Sequence, residues 1–228
     1  MGLFTETGRY LPWGTVERVR AEGFVASTTL PNWLATSNND SVPISYELGS
    51  PDTTQYMQVN TPLTLNKYVI MSVNDSSGSP ANGGIYRNDL IELRLKVEAL
   101  TFSDSSDKMD FRISVWGNAT GSAGASLGCT SEGTYFEGRV GGTASRKYID
   151  YDILQGLEYS RPRDIEFITR PDRWVLLRSN GYVVAAHQFT PAQMTLGQVN
   201  PKLVMIQRLG GTVRWMRFGQ LTLTLCHS

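Results

Sequence analysis

Cysteine and histidine are nearly absent: across 228 residues only Cys129, Cys226, His187 and His227 occur. That scarcity argues against a disulfide framework, a Cys-x-x-Cys redox motif and a Cys/His zinc site. The two cysteines lie far apart in sequence, and spacing alone leaves open whether they pair or stay as buried thiols. An excess of charge of either sign is missing too. Basic and acidic residues balance at 21 each, so no global positive field draws in DNA, RNA or anionic lipid, and no nucleic-acid partner is expected. No apolar run approaches the length of a membrane span, and membrane insertion is not expected. The amino terminus lacks the basic start and apolar stretch of a signal peptide, and Glu6 stands where myristoylation requires Ser or Thr. The expectation is a protein made in the cytoplasm and not exported by the general secretory route.

What the chain does have is alternation. Its hydrophobic fraction of 40% and charged fraction of 18% are those of a globular protein, and its length suits one sizeable all-β unit. Residues 1–228 read as a single β-sandwich domain, with residues 1–20 an N-terminal extension or partner-contact arm. Ile91, Leu93, Leu95, Val97 and Ala99 alternate with Glu92, Arg94, Lys96 and Glu98, which predicts a strand with one dry and one charged face. Phe111, Ile113 and Val115 alternate in the same way with Asp110, Arg112 and Ser114. The Ser103–Asp107 turn cluster between these two segments predicts a hairpin.

Asp164–Thr169 and Arg173–Arg178 are predicted strands around a Pro171 turn. Asn180-Gly181 joins the second of these to Tyr182–Ala185 with the composition of a type I′ turn. Gly210-Gly211 predicts another hairpin between Lys202–Arg208 and Thr212–Phe218, and Leu221, Leu223 and Leu225 mark a closing strand. Phe24–Thr28, Ile44–Leu48 and Gln55–Val59 read as short strands. Residues 117–145, rich in Gly, Ser, Ala and Thr, read as long loops around a strand at Thr134–Val140. Tyr148–Gln155 and Pro191–Leu196 are the only candidates for helical turns. The fold class is therefore all-β, an antiparallel two-sheet β-sandwich or barrel.

The order of these elements resembles the jelly roll of the concanavalin A-like lectin, glucanase and laminin-G superfamily. Three places carry the likeness: Glu22-Gly23-Phe24 with Leu30-Pro31-Asn32-Trp33, the Trp174–Val184 hairpin, and Pro201–Arg208 followed by Gly211–Phe218 and Leu221-Thr222-Leu223. The resemblance implies a jelly roll whose final strands return beside the opening one. It does not dictate activity, since the superfamily mixes binders, hydrolases and lyases. Lectin-like jelly rolls usually work outside cells, and a virion that leaves on lysis needs no leader. A bacteriophage tail or receptor-binding protein at a virion or extracellular surface is the setting expected, with a glycan or other virion proteins as partners and a homo-oligomer as the assembly. A purely structural capsid or tail component, and a jelly-roll hydrolase or lyase, are the alternatives.

An enzyme of this architecture needs more than the sequence offers. Glycoside hydrolysis requires paired carboxylates on one strand face. Asp164 and Glu166 share a face, but Ile168 takes the next place on it. Jelly-roll alginate lyases are faintly resembled at Ile91–Arg94 and Tyr135–Gly138, yet their Gln-x-His strand has no counterpart, so proton abstraction lacks its base. No nucleophile elbow or phosphate loop occurs. The chain is expected not to be an enzyme.

Sugar sites combine an aromatic platform with hydrogen-bonding neighbours. Trp116 shares parity with Asp110, Arg112 and Ser114, which makes it the aromatic best placed to be exposed; packing under the following loop is the alternative. Arg94 and Lys96 are expected across from it on the paired strand, with Tyr135 and Arg139 completing a groove. Trp116, Arg112, Arg94, Tyr135 and Arg139 are thus the predicted ligand-binding residues. Trp174 and Trp215 suit core or hairpin packing, while Trp13 and Trp33 suit pinning the amino-terminal segment or contacting a partner subunit. No cofactor is expected. Calcium is the one candidate, at Asn38–Asp40, Asp75 and Asp104–Asp107, where Asx and Ser turns explain the same residues without metal.

Overall fold

A computed structural model describes residues 2–4, 10–12, 16–21, 34–38, 46–49, 56–73, 85–86, 90–117, 123–154, 159–170, 172–194 and 198–227. The first strands are β1 (Gly2–Phe4), β2 (Tyr10–Pro12), β3 (Val16–Ala21), β4 (Leu34–Asn38), β5 (Tyr46–Gly49), β6 (Tyr56–Asn60), β7 (Tyr68–Val73) and β8 (Ile85–Tyr86). Next come β9 (Leu90–Phe102), β10 (Met109–Gly117), β11 (Gly124–Thr130), β12 (Gly133–Val140) and β13 (Thr143–Tyr148). The chain closes with β14 (Arg163–Thr169), β15 (Trp174–Ser179), β16 (Tyr182–Gln188), β17 (Gln198–Gln207), β18 (Trp215–Phe218) and β19 (Gln220–His227). No helix occurs among the described residues: of the two predicted helical turns, 148–154 is a strand end followed by bend and turn, 191–194 is a turn, and residues 155, 195 and 196 lie outside the described residues.

Beside the small β1–β2 ribbon, two antiparallel sheets form the sandwich. The eight-stranded sheet runs β13-β12-β11-β10-β17-β7-β4, with β8 on β17. The nine-stranded sheet runs β16-β15-β14-β9-β18-β6-β5, with β19 pairing β9 and β3. Between them lies one apolar layer containing Leu93, Leu95, Val97, Phe111, Ile113, Leu221, Leu223 and Leu225, all at most 1% exposed. Burial of each such side chain stabilises the fold by about 1.5–3 kcal/mol. The dry layer expected from period-two alternation is present on both sheets.

Two predicted hairpins are corrected. β9 and β10 belong to different sheets, as do β17 and β18, so their connections cross the sandwich. Both crossings meet at Arg214, which is only 3% exposed. Its Nε donates to Asp104 Oδ2 at 3.2 Å in the first connection, and its Nη1 donates to Gln207 Oε1 at 2.5 Å and to the Leu209 and Thr212 carbonyls around the second. A turn cluster reports a change of direction; which sheet receives the next strand is decided by such long-range partners.

Other expectations hold or shift locally. The β14–β15–β16 meander forms as predicted, with Asn180 and Gly181 at φ 49° and 86°, the positive values that a type I′ turn needs. Residues 124–148 form a three-strand meander: the strand expected at Thr134–Val140 is β12, and the segments expected as loops on either side of it form β11 and β13. Ala99 leaves the dry set: it adopts φ 52° beside a register shift, and Leu100 and Phe102 take over the inward face. The predicted charged face of β9 is not fully solvated, because Glu92 is fully buried and Arg94 is 9% exposed. Cys129 and Cys226 are both buried and are not joined in a disulfide. Trp174 is 38% exposed on its hairpin and not a core residue. The predicted strand at Phe24–Thr28, and Trp13 and Trp33, lie outside the described residues.

Candidate functional site

Register aligns side chains into rows across the outer face of the eight-stranded sheet. Phe111, Leu127 and Phe136 point inward, so their neighbours in sequence point out. One outer row reads Tyr148, Tyr135, Gly128, Arg112, Val204, Ile70 from the β13 edge inward. Gly128 is required there by close approach: a Cβ on it would lie 2.5 Å from Cζ of the Tyr135 ring. The ring therefore lies flat on the β11 backbone and is 1% exposed although it faces outward. The Arg146 guanidinium covers it from above, 4.3 Å from the ring centroid, and Tyr148 meets it edge-on at 5.4 Å.

The adjacent row centres on Glu137, whose side chain is fully buried. Arg139 Nε and Arg146 Nε each donate to it at 2.9 Å, and Arg112 Nη1 stands 3.6 Å away. Burial by itself would raise the Glu137 pKa, but the three guanidiniums outweigh it and hold the carboxyl below its usual value. Burial by itself would lower the Arg146 pKa, but the hydrogen bond to Glu137, together with the charges and hydrogen bonds of Tyr135, Tyr148 and Glu137, raises it. The result is a fixed carboxylate that orients three arginines on an otherwise ordinary sheet surface.

Beside them opens a shallow cleft of about 300 Å³ lined by Asp110, Arg112, Thr130, Glu132, Tyr135, Arg146 and Arg208. Arg208 Nε donates to Asp110 Oδ2 at 2.7 Å, and its Nη1 donates to Asn66 Oδ1 at 2.8 Å. The Tyr148 hydroxyl donates to Glu132, which pushes the phenol pKa up. Donors from guanidiniums, hydroxyls of Thr130 and Ser131, and acceptors from Asp110 and Glu132 thus surround one opening, next to an aromatic edge. Such a set suits a ligand with many hydroxyls, because each can find both a donor and an acceptor.

The same surroundings offer little for bond-breaking chemistry. His187 packs against Phe136 and Phe189 at 5.6 and 4.7 Å, away from the cleft, and burial lowers its pKa. The Cys129 thiol donates to Asp152 Oδ1 at 2.9 Å, and burial pushes its pKa up to about 12, so it stays protonated. Asp164 Oδ1 accepts from the Ala99 amide and Glu166 from Arg178, both within the nine-stranded sheet. No cluster of three or more metal-ligating His, Cys, Asp or Glu occurs among the described residues.

Of the predicted binding residues, Arg112 and Tyr135 line the cleft, and Arg139 is tied to Glu137 beside it. Tyr135 and Arg139 sit on β12, the strand expected at Thr134–Val140. Arg94 is not across from them: it lies on the other sheet, with its Nε donating to Glu92 Oε1 at 2.8 Å. For Trp116, a register shift between Ser114 and Trp116 ends the alternation on which its exposure was argued, and its side chain lies outside the described residues. Sequence reasoning missed Glu137, Arg146, Tyr148 and Arg208. A usable signal existed for the first three. Tyr135, Glu137 and Arg139 share one parity, Arg146 and Tyr148 share another, and Gly141-Gly142 between them supplies the positive φ of a tight turn.

No family model matches this chain, and no curated protein matches it. Solved structures do. It is similar to a structure of botulinum neurotoxin type C, described as entering cells in dependence on interaction with two ganglioside molecules, at 11% identity and a TM-score of 0.53 over 83% of this chain. This chain spans 42% of that one. The protein SO2946 of Shewanella oneidensis MR-1, of unknown function, aligns at 12% identity and a TM-score of 0.62, covering 93% of this chain and 87% of its own. The carbohydrate recognition domain of Emp47p aligns at 10% identity and a TM-score of 0.56, covering 90% and 93%. Likeness at such identities establishes the fold alone, an antiparallel β-sandwich of the jelly-roll type.

Proposed function

We propose that this chain is a non-catalytic binding module that takes a glycan in the cleft between β10, β12 and β13. The observation that carries this reading is the arginine trio fixed by buried Glu137 beside the 44%-exposed ring of Tyr148. An exposed ring offers an apolar face to sugar C–H groups, and oriented guanidiniums offer rigid donors to hydroxyl or carboxylate oxygens. Two of the similar folds are described through gangliosides or carbohydrate recognition, which supports the class of ligand. The setting we assign is attachment at a virion or other extracellular surface, as in a phage tail or receptor-binding protein, with the chain acting as a homo-oligomer. Adjacent tail or capsid genes would support that setting.

A glycan array with wild type, Tyr148→Ala, Arg146→Ala and Trp116→Ala tests the site. Wild type is expected to bind, and loss of one charge-assisted donor at Arg146 should weaken binding roughly tenfold or more. Binding to no glycan would favour a purely structural component. Turnover of a polysaccharide by the purified protein would overturn the non-catalytic reading.

A further inference from the structure

The outer face of the nine-stranded sheet carries a second hollow, unrelated to the cleft. Its volume is about 260 Å³, and its walls include Arg94, Arg170, Arg178, Ile168, Leu176 and Val183. Two of the three arginines already have a carboxylate. Arg94 Nε donates to Glu92 Oε1 at 2.8 Å, and Arg178 Nη1 donates to Glu166 Oε2 at 2.9 Å, with further Arg178 donors on the Gly181 carbonyl. Arg170 differs. Its Nε is buried and finds no hydrogen-bond acceptor, and no acidic side chain among the described residues pairs with it.

Among the described residues, three guanidiniums line the hollow and carboxylates are bound to Arg94 and Arg178, so the Arg170 charge is the one for which no carboxylate is placed. A guanidinium cannot shed that charge by deprotonation, and a buried donor left unsatisfied is costly. The register places Ile168 beside Arg170 on β14 and Trp174 across from it on β15, neither of which carries a side-chain acceptor, while Glu92 on β9 accepts from Arg94. Ile168 is 5% exposed and Val183 is 58% exposed, giving a dry floor and an open apolar lip.

We propose that this hollow is a binding site for a monovalent organic anion, a carboxylate carried on a short apolar body. The carboxylate accepts from Arg170, and the body packs on Ile168, Leu176 and Val183. The site is independent of the glycan cleft, which lies on the opposite sheet.

Arginine Nε–Hε resonances of the full chain, titrated with sodium acetate, sodium butyrate and inorganic sulfate at constant ionic strength, test it. Butyrate should shift the Arg170 signal saturably. Its two extra CH₂ groups should make it roughly tenfold tighter than acetate. Arg170→Gln should weaken butyrate at least tenfold, and so should Val183→Asp, which sets a carboxylate at the lip and serves if the first variant does not fold. Arg146→Gln, in the other cleft, should leave it unchanged. Unchanged butyrate affinity in either folded hollow variant overturns the proposal. So does sulfate binding more tightly than butyrate, which would make the site one for inorganic anions.

Discussion

Glu137 shows how one residue can organise a surface. A carboxylate without water on a sheet's outer face would be costly, and it is tolerated because Arg112, Arg139 and Arg146 surround it. Removing its charge leaves three guanidiniums facing one another. Each is between a quarter and two-fifths exposed, so water offsets part of that repulsion. Glu137→Gln is therefore expected to lower unfolding free energy by about 1–2 kcal/mol in denaturant titrations at neutral pH. The pH dependence has a definite sign. Because the folded carboxyl titrates below its unfolded value, its contribution is complete above about pH 4.3 and fades as pH falls through the folded pKa. Wild type should lose its advantage over Glu137→Gln across that acid window, measured by melting temperature against pH. A constant difference between the two would show that the carboxylate's charge contributes nothing.

At the scale of elements, local signals were read more faithfully than pairings. Asn180-Gly181 names its own hairpin because two positive φ values are a demand that few dipeptides meet. Alternation in β9, β10 and β19 revealed their dry faces, but period two says nothing about which strand lies alongside. The crossings after β9 and β17 depend on Arg214 reaching Asp104, Gln207 and two carbonyls, contacts more than a hundred residues apart in the case of Asp104. Arg214→Met should strand those buried acceptors and cost about 2–4 kcal/mol in equilibrium unfolding. A cost within error of zero would mean that the crossings hold without it. The β11–β13 meander escaped notice for a different reason. Gly128 contributes no hydrophobic signal, yet its missing Cβ is what admits the Tyr135 ring; small residues here mark a close approach and not a loop.

On the scale of the whole molecule, the two sheets turn two chemically different faces outward. The eight-stranded sheet presents Arg146, Arg112 and Arg208 around a polar cleft, with Tyr148 bonded to its Glu132, and the nine-stranded sheet presents an aliphatic hollow with a guanidinium that no carboxylate among the described residues answers. About half of the first site was legible, since Arg112 and Tyr135 were named from parity and composition. Arg94 was misplaced because a strand's face was known while its sheet was not. Glu137 went unselected because an acid among arginines reads as a solvated surface until burial is seen. The most direct test of the proposed ligand face is an amide chemical-shift map of the full chain with an array-selected oligosaccharide. Perturbations should gather at Asp110–Arg112, Thr130–Glu137 and Arg146–Tyr148. A map centred on Arg170–Val183, or spread evenly over both sheets, would contradict it.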